Sequence, residues 1–183
     1  MAQVFDMNKL RELILYIAQS AESDPRLGAV KLNKLLFYAD TRAYLELGKS
    51  ITGATYQHLA EGPAPIELLE VRRRMVADED AHMASTWYLT RIQSRLVPNR
   101  PADLSAFSAD ELRVVHDVIH DLWDLDATAV SDLSHQEWGY RLTEPGDWIP
   151  MRAAWFSPEP LDEIQIKQGQ KLWETISRES ASL

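Results

Sequence analysis

Apolar residues recur at steps of three and four along most of the chain, which is the spacing of one face of an α-helix. A first amphipathic helix is predicted from about Asn8 to Ala21, with Asp6 or Asn8 as its N-terminal cap. Asp24-Pro25 ends this pattern, because proline disfavours helical geometry in the residue before it. The core-facing positions of this helix are Leu10, Leu13, Ile14, Ile17 and Ala21.

A second helix is predicted from about Val30 to Leu47, with Gly48 in place to end it. Its core stripe consists of Leu32, Leu35, Leu36, Ala39, Ala43 and Leu47. Further apolar and aromatic residues lie on its two flanks, namely Phe37 with Tyr44 and Tyr38 with Leu45. A helix that is apolar on several sides is buried on several sides, so we predict that this is the central helix. The alternative is that one aromatic flank is a surface for a partner.

The pattern changes between residues 51 and 100, where short segments of strand-forming residues alternate with turn residues. We predict a short strand at Tyr56–Leu59, a turn at Glu61–Pro65 and a short helix at Glu67–Val76. Asp78–Asp80 is predicted to be a solvated loop or cap, and Trp87–Val97 to be strand. A small antiparallel sheet is therefore expected.

Helical periodicity returns in the last third of the chain. Ser108 and Glu111 have the spacing of a capping box, in which each side chain accepts a hydrogen bond from the other residue's backbone N–H. The helix that they begin is predicted to end near Leu125, with an apolar stripe of Leu112, Val115, Ile119, Leu122 and Trp123. The later predicted elements are a short helix at about Thr128–Leu133, an irregular segment at His135–Pro150 and a final helix at about Leu161–Arg178.

The chain has 183 residues without an internal repeat, a low-complexity stretch or a clear linker. This length and organisation fit one domain. We therefore expect residues 1–183 to form a single, mainly α domain with a small two- or three-stranded antiparallel sheet, which is an α+β fold.

Composition excludes several classes of function. Without cysteine, the chain has no disulfide, thiolate zinc site, cysteine nucleophile or iron–sulfur cluster. Its 19 basic and 28 acidic side chains give a net charge of −9, which argues against nonspecific binding of nucleic acid. No apolar run approaches the ~20 residues of a membrane span, and Met1–Leu10 lacks the pattern of a signal peptide. We expect a cytoplasmic protein that contacts neither nucleic acid nor membrane and uses no cofactor.

Two histidines in the capped helix are the best candidates for metal ligands. His116 and His120 are four residues apart, so they share a helical face and have the spacing to hold one divalent ion. We predict that His116 lies in the apolar stripe, that His120 lies at its border, and that Asp117, Asp121 and Asp124 lie on the opposite, solvated side. The metalloprotease motif also fails, because Asp117 replaces its glutamate. We therefore expect two boundary histidines and no metal, and keep metal binding as the alternative.

No motif in the sequence supports an enzyme. The chain lacks the glycine-rich signatures of phosphate-binding loops and the nucleophile elbow of hydrolases, and no spacing singles out a catalytic triad. Arg72-Arg73-Arg74 fans around its helix instead of sharing one face, so we interpret it as solvated surface and not as a nucleic-acid site. We expect no catalytic residues.

Two further stretches have unusual composition. Gly62-Pro63 makes a rigid bend, because glycine permits positive φ and proline fixes the next φ. The stretch His135-Gln136-Glu137-Trp138, with Tyr140 and Trp148 after it, concentrates aromatic side chains in an irregular segment. Such side chains either close one end of the domain or anchor a partner.

Three stretches together resemble the Panacea, or SocA-like, antitoxin domain, a family that includes phage-associated GepA-like proteins. Residues 31–40, KLNKLLFYAD, are similar to the family's KLxKLLYYA helix. Residues 61–65, EGPAP, stand where the family has a YGPV element that opens a helix, and residues 133–138, LSHQEW, resemble its LSxLTHxxxPW element. The resemblance covers about residues 8–150, which leaves 151–183 as a C-terminal helical extension.

This resemblance implies a function that no single motif shows. Panacea domains bind and neutralise protein toxins from neighbouring genes, and at least one member delivers its toxin to a Clp-type protease as an adaptor. On this resemblance we expect an antitoxin that neutralises a cognate toxin stoichiometrically, by occlusion or by delivery. The alternatives are a phage-associated interaction or regulatory protein without a toxin, and a metal-dependent hydrolase that uses His116 and His120.

Two surfaces are expected to contact the partner. The partner-binding residues are predicted to be Tyr38, Tyr44, Gly62, Pro63, His135, Gln136 and Trp138. Residues 103–137 hold nine acids and one base, so this segment carries a net charge of −8, nearly the whole excess of the chain. A concentrated acidic face at Asp117, Asp121 and Asp124 is predicted to steer a basic partner, with an ordinary solvated helix face as the alternative.

Overall fold

The computed structural model describes residues 4–156, which form a mainly helical α+β fold with small antiparallel sheets, as predicted. The helices are α1 Met7–Ser20, α2 Ala29–Leu47, α3 Leu68–Ala77, α4 Ala109–Asp121, α5 Ala127–His135 and α6 Trp138–Arg141. The strands are β1 Tyr56–Gln57, β2 Ala64–Pro65, β3 Ala81–Tyr88, β4 Arg91–Pro98 and β5 Trp148–Ile149. Short 3₁₀ turns occupy Leu104–Ala106 and Met151–Trp155. The predicted final helix at Leu161–Arg178 lies outside the described residues.

Helix α2 lies at the centre of the fold, which confirms the prediction. It packs against α1, α4, α5 and the 3₁₀ turn at Met151–Trp155. It ends at Gly48, whose φ of 77° is left-handed and whose N–H donates to the carbonyl of Tyr44. Its buried residues are Lys31, Leu32, Lys34, Leu35, Leu36, Phe37, Ala39, Asp40, Thr41 and Ala43. Burial on all sides explains why its sequence has no simple polar face.

Strand β1 is the middle strand of a three-stranded antiparallel sheet, between β2 and β5. Tyr56 lies opposite Pro65 on one side and Ile149 on the other. The predicted strand at Tyr56–Leu59 is therefore only two residues long. This pairing draws the Gly62-Pro63 bend, which precedes β2, towards the aromatic segment that precedes β5.

The strand predicted at Trp87–Val97 is wrong in its bounds. The structure has two strands there, β3 and β4, which pair over eight residues each around a two-residue turn at Leu89-Thr90. Leu89 has a φ of 51°, a conformation that glycine or asparagine would normally supply. Because neither residue stands in this turn, the sequence gives no sign of the reversal.

The acidic turn before β3 is more buried than the sequence predicts. Within Asp78–Asp80, Asp80 is buried, because Arg100 donates from Nε to its Oδ1 at 2.6 Å and Arg11 forms an ion pair with it. Arg100 also donates to both carboxylate oxygens of Glu12, at 2.6 and 3.0 Å. The base of the β3–β4 hairpin is thereby fastened to α1.

The capping box of α4 is present as predicted, but the histidines of this helix lie elsewhere. His116 and His120 are exposed, because the face that packs on the core consists of Val114, Val115, Val118 and Ile119. They share the outer face with Asp117 and Asp121, so the predicted separation of histidines and aspartates is wrong. The described residues contain no group of three or more histidine or acidic side chains that could hold a metal ion. Among residues 4–156, none of the helices combines the length and apolarity that crossing a bilayer requires.

Candidate partner-binding site

Three stretches that are far apart in the sequence meet beside α2. Lys34 of α2 donates from Nζ to the carbonyl of Pro63 at 3.1 Å. A Cβ placed on Gly62 would lie 2.4 Å from the Oγ of Ser134 and 2.7 Å from the Cε of Lys34. Helix α2, the Gly62-Pro63 bend and the end of α5 are therefore in direct contact, and we call this contact the motif junction.

The bend requires glycine for two independent reasons. Gly62 has a φ of 91°, and the space where a side chain would begin is filled by Ser134 and Lys34. The bend is held by hydrogen bonds from the N–H of Gly62 to the carbonyl of Leu59 at 2.8 Å and from Ser131 Oγ to the carbonyl of Glu61 at 2.8 Å. Gly62 and Pro63 are buried, so they shape the surface without forming part of it.

Lys34 is the most unusual residue of the motif junction. Its side chain is about as buried as the neighbouring leucines, at 1 % exposure, and its one hydrogen bond among the described residues goes to Pro63. Burial lowers the pKa of Lys34 to about 8, and the charge of Glu61 opposes this shift only in part. The ammonium group therefore still carries its charge for the most part at pH 7, but it loses the proton more readily than an exposed lysine.

Tyr38 lies one turn further along α2 and faces Glu137. Its hydroxyl is buried and reaches no hydrogen bond of good geometry in the described part of the chain. Burial, together with the nearby carboxylate of Glu137, raises the pKa of Tyr38 well above its ordinary value. Burial also raises the pKa of Glu137, while the Tyr38 hydroxyl opposes that rise. Tyr38 therefore connects α2 with the start of α6.

His135 packs in a stack of three rings. The ring of Tyr140 lies between those of His135 and His58, with centroid distances of 4.5 and 3.6 Å. The Tyr140 hydroxyl donates to the carbonyl of Leu59 at 2.9 Å, and Nδ1 of His58 lies 3.1 Å from the Oγ1 of Thr143. The stack joins α6 to the end of β1, so His135 and Tyr140 belong to the framework of the fold.

Aromatic side chains reach the surface on α2, α6, β5 and the 3₁₀ turn at Met151–Trp155. Trp148 and Trp155 are 69 % and 62 % exposed, and the ring of Trp155 lies 6.3 Å from that of Tyr44. Trp138 is partly exposed, with the guanidinium of Arg141 4.5 Å above its ring. We call Tyr44, Trp138, Trp148 and Trp155 the aromatic rim.

Close packing holds the aromatic rim together. A Cβ on Gly139 would lie 2.7 Å from a methyl carbon of Ile149 and 3.3 Å from the Cβ of Ala153. Helix α6 therefore sits directly on β5 and on the 3₁₀ turn that carries Trp155. The rim presents large apolar area from a rigid support, which is the arrangement that anchors protein partners.

The acidic face of α4 is more compensated than the sequence indicates. Its three aspartates each pair with an arginine, namely Asp117 with Arg113 at 3.2 Å, Asp121 with Arg42 at 2.8 Å and Asp124 with Arg26 at 3.5 Å. Two of these arginines come from outside the acidic segment. The electrostatic field of the face is therefore weaker than a net charge of −8 implies.

The structure separates the sequence-predicted site residues into two groups. Tyr38, Gly62, Pro63 and His135 come together at or beside the motif junction and are buried or half-buried. Gln136 is exposed, and Trp138 and Tyr44 are partly exposed. Sequence reasoning missed the roles of Lys34, Glu137 and Trp155. A weak signal was available for Lys34, which lies one helical turn before Phe37 and Tyr38 in a helix with no polar face.

A comparison with known families agrees with this geometry. The model of the family described as "Antitoxin SocA-like, Panacea domain" matches residues 32–139, which include the motif junction and Trp138. No curated protein matches the chain. The match covers more than half of the 183 residues and contains most of α2, the Gly62-Pro63 bend and the end of α5. The chain therefore belongs to the SocA-like antitoxin family with a Panacea domain.

Proposed function

We propose that this protein is the antitoxin of a toxin–antitoxin pair, and that it neutralises a cognate protein toxin encoded by an adjacent gene through stoichiometric binding. The observation that carries this proposal is the family match across the motif junction. An antitoxin-like domain favours a protein partner and a non-enzymatic role. No bond is made or broken in this mechanism, so no catalytic residue is required.

The aromatic rim is the surface that we assign to the toxin. Exposed tryptophans bury large apolar area with little loss of side-chain entropy, and they dominate the energetics of many interfaces. Gln136, exposed beside Trp138, supplies hydrogen-bonding groups at the edge of the same surface. The buried residues Gly62, Pro63 and His135 act indirectly, because they fix the position of α6.

Co-expression tests the proposal directly. The full chain is expressed together with each adjacent small open reading frame, and growth is compared with expression of that reading frame alone. We expect one neighbour to be toxic alone and harmless with this chain. If no neighbour is toxic, or if toxicity persists in the presence of this protein, the proposal is wrong.

Substitutions locate the binding surface once that toxin is known. We expect the double variant Trp138→Ser/Trp155→Ser to bind the toxin at least about tenfold more weakly, because it removes two anchors. Leu69→Ser is the matched control, since Leu69 is 74 % exposed on α3, away from the rim. Equal loss of affinity in both variants would remove the rim from the proposal.

The antitoxin could act by delivering the toxin to a Clp-type protease or by covering the toxin without degrading it, and one experiment distinguishes these two mechanisms. The toxin level in cells that express both proteins is compared with and without the protease. A toxin that accumulates only without the protease supports delivery by an adaptor. A toxin that stays abundant and inactive in both strains supports occlusion.

Two other functions remain as competing hypotheses for the same experiments. A phage-associated interaction or regulatory protein would bind a partner whose expression is harmless, so the co-expression assay distinguishes it. A metal-dependent hydrolase would need His116 and His120 as ligands, and these side chains are 74 % and 81 % exposed. No observation on the described residues favours that hydrolase over the antitoxin.

A further inference from the structure

The β3–β4 hairpin has one open edge. Among the described residues, β3 pairs with β4 and with no other strand. Tyr88 and Arg91 close the two-residue turn, so they exchange the first pair of backbone hydrogen bonds of the ladder. Hydrogen-bonding direction alternates along a strand, so the free N–H and C=O groups of Met83, Ser85 and Trp87 point to the outer edge of β3.

The outer edge of β3 lacks the features that normally prevent strand pairing. Proteins protect edge strands with charged side chains, proline, bulges or a covering segment. Residues 81–88, AHMASTWY, contain no acidic residue, lysine, arginine, proline or glycine. On β4, by contrast, Gln93 and Arg95 donate to the carbonyls of Pro25 and Asp24, at 2.7 and 2.9 Å. The segment between α1 and α2 therefore packs on one face of β4. Strand β4 also carries the charged residues Arg91 and Arg95. In the described part of the chain, no strand pairs with the outer edge of β3.

Apolar side chains on the same strand are also uncovered. Trp87 is 71 % exposed and Met83 is 41 % exposed, and both lie on one face because residues two apart in a strand point the same way. Ile92, directly opposite Trp87 on β4, is 61 % exposed. A two-stranded ribbon with these side chains in water is marginally stable by itself. A strand added at the edge would stabilise it by completing its backbone hydrogen bonds and by placing further side chains beside these ones.

We propose that two copies of this chain pair edge to edge through β3, antiparallel, with the two-fold axis at Ser85. The result is a four-stranded sheet in which β4 lies at both outer edges. In this register Met83 of one copy lies opposite Trp87 of the other, so the exposed apolar residues cover each other.

Charge favours a second copy as the occupant of this edge. In a two-fold interface the same strand meets itself, so any charged side chain on it would approach its own copy or a like-charged neighbour. The lack of acidic residues, lysine and arginine on β3 removes that repulsion, and the one titratable side chain, His82, lies opposite Tyr88 of the other copy in this register. Elsewhere the net charge of −9 makes copies repel each other, which restricts self-association to this neutral strand.

The mass of the full chain in solution tests the pairing, by light scattering during size-exclusion chromatography over a broad concentration range. We expect a dimer for the native sequence and a monomer for Ser85→Glu, because the two new carboxylates would face each other at the axis. Ser94→Glu is the matched control, since Ser94 lies directly opposite Ser85 on β4 and away from the axis. We expect Ser94→Glu to remain a dimer. A native chain that is monomeric throughout, or a Ser85→Glu variant that dimerises as well as Ser94→Glu, overturns the proposal.

Cross-linking supplies a second measurement that does not depend on the stability of Ser85→Glu. The native chain has no cysteine, so Ser85→Cys places a single thiol in each copy. Directly opposed residues in an antiparallel pair have Cα atoms about 4.5–5.5 Å apart, within the range of a disulfide. Mild oxidation is therefore expected to join Ser85→Cys into a covalent dimer and to leave Ser94→Cys monomeric on a denaturing gel. Equal cross-linking of the two variants would place the interface elsewhere.

Discussion

At the scale of single residues, Gly62 combines a backbone requirement with a packing requirement, and these can be separated by a matched substitution. Gly62 and Gly48 both have positive φ, at 91° and 77°, but a Cβ on Gly48 would meet nothing within 4 Å. Gly62→Ala suffers the conformational penalty and also collides with Ser134 and Lys34. We expect it to lose about 1–3 kcal/mol more stability than Gly48→Ala, measured by urea denaturation. Equal losses of stability would mean that Ser134 and Lys34 move away from the added methyl group without destabilising the fold.

The lowered pKa of the buried Lys34 should give the protein an unusual dependence of stability on pH. Its pKa is about 8 in the folded chain and near 10.5 when it is exposed, so between these values the unfolded state binds more protons. Stability therefore rises with pH across that window, because the charge whose burial is unfavourable is lost first from the folded state. Between pH 8 and pH 10.5, the deprotonation of Lys34 is expected to raise the free energy of unfolding by about 3 kcal/mol.

Comparison with Lys34→Met isolates this effect from other groups that titrate in the same window. Methionine fills a similar volume without charge, so we expect this variant to be more stable than the native chain at pH 7. The difference between the two proteins is expected to shrink as the pH approaches 10, as measured by denaturant titration. A difference that stays constant between pH 7 and pH 10 would contradict the burial of a charged Lys34.

At the scale of elements, Asp40 fastens α2 to the segment that leads into β1. This fully buried carboxylate accepts hydrogen bonds from the N–H groups of Ile51 and Thr52 at 2.7 and 2.9 Å, from the hydroxyl of Thr52, and from Tyr56 at 2.8 Å. Asp40→Asn turns one acceptor into a donor that faces these donors. We expect it to lose about 2–4 kcal/mol of stability in denaturant titrations.

Hydrogen exchange checks that the loss from Asp40→Asn is local to this connection. The amides of Ile51 and Thr52 should exchange faster in the variant, while those in the middle of α4 should change only with global stability. Asp132→Asn, at an exposed site on α5, is the control with the same chemical change, and we expect it to be neutral. A similar loss in both variants would assign the effect to net charge.

Elements with helical periodicity could be predicted from the sequence, whereas elements defined by strand pairing could be predicted only in part. Helices α1, α2 and α4 follow apolar periodicity, and the capping box marks the start of α4 at Ser108. Strand β1 was predicted with four residues and has two, and strands β2 and β5 have two residues each, too few for any pattern. The turn of the β3–β4 hairpin carries Leu89 at positive φ, where local preference is overruled by strand pairing. Such features depend on contacts between distant residues.

At the scale of the whole molecule, the candidate site could be predicted only in part. The family resemblance located the three stretches that meet at the motif junction, and most of the residues it indicated prove to be internal supports. The burial of Lys34 and Asp40 could not be predicted, because charged residues in a helix normally face solvent. Their burial follows from the docking of the Gly62-Pro63 bend and the segment before β1 onto α2.

Electrostatic steering by the acidic face gives the last prediction, and it rests on the proposed toxin partner. Asp117, Asp121 and Asp124 lie on the most acidic segment, but Arg113, Arg42 and Arg26 pair with them. Replacing the three aspartates by asparagine removes three negative charges from the face, while Arg113 and Arg26 keep their pairs with Glu46 and Asp24. If a basic toxin approaches this face, its association rate at low ionic strength should fall about tenfold, with little change in dissociation.

A second triple variant separates the acidic face from total charge. Glu22→Gln/Glu79→Gln/Glu144→Gln also changes the net charge from −9 to −6, at exposed positions outside that face. Stopped-flow association is measured for the native chain and both variants at several salt concentrations. If steering is local, the association rate of the aspartate variant alone should become nearly independent of salt. Salt weakens the attraction by screening the field of the three aspartates, and this variant no longer has that field. If both variants slow association equally, only the overall charge attracts the toxin, and the face of α4 has no special part in docking.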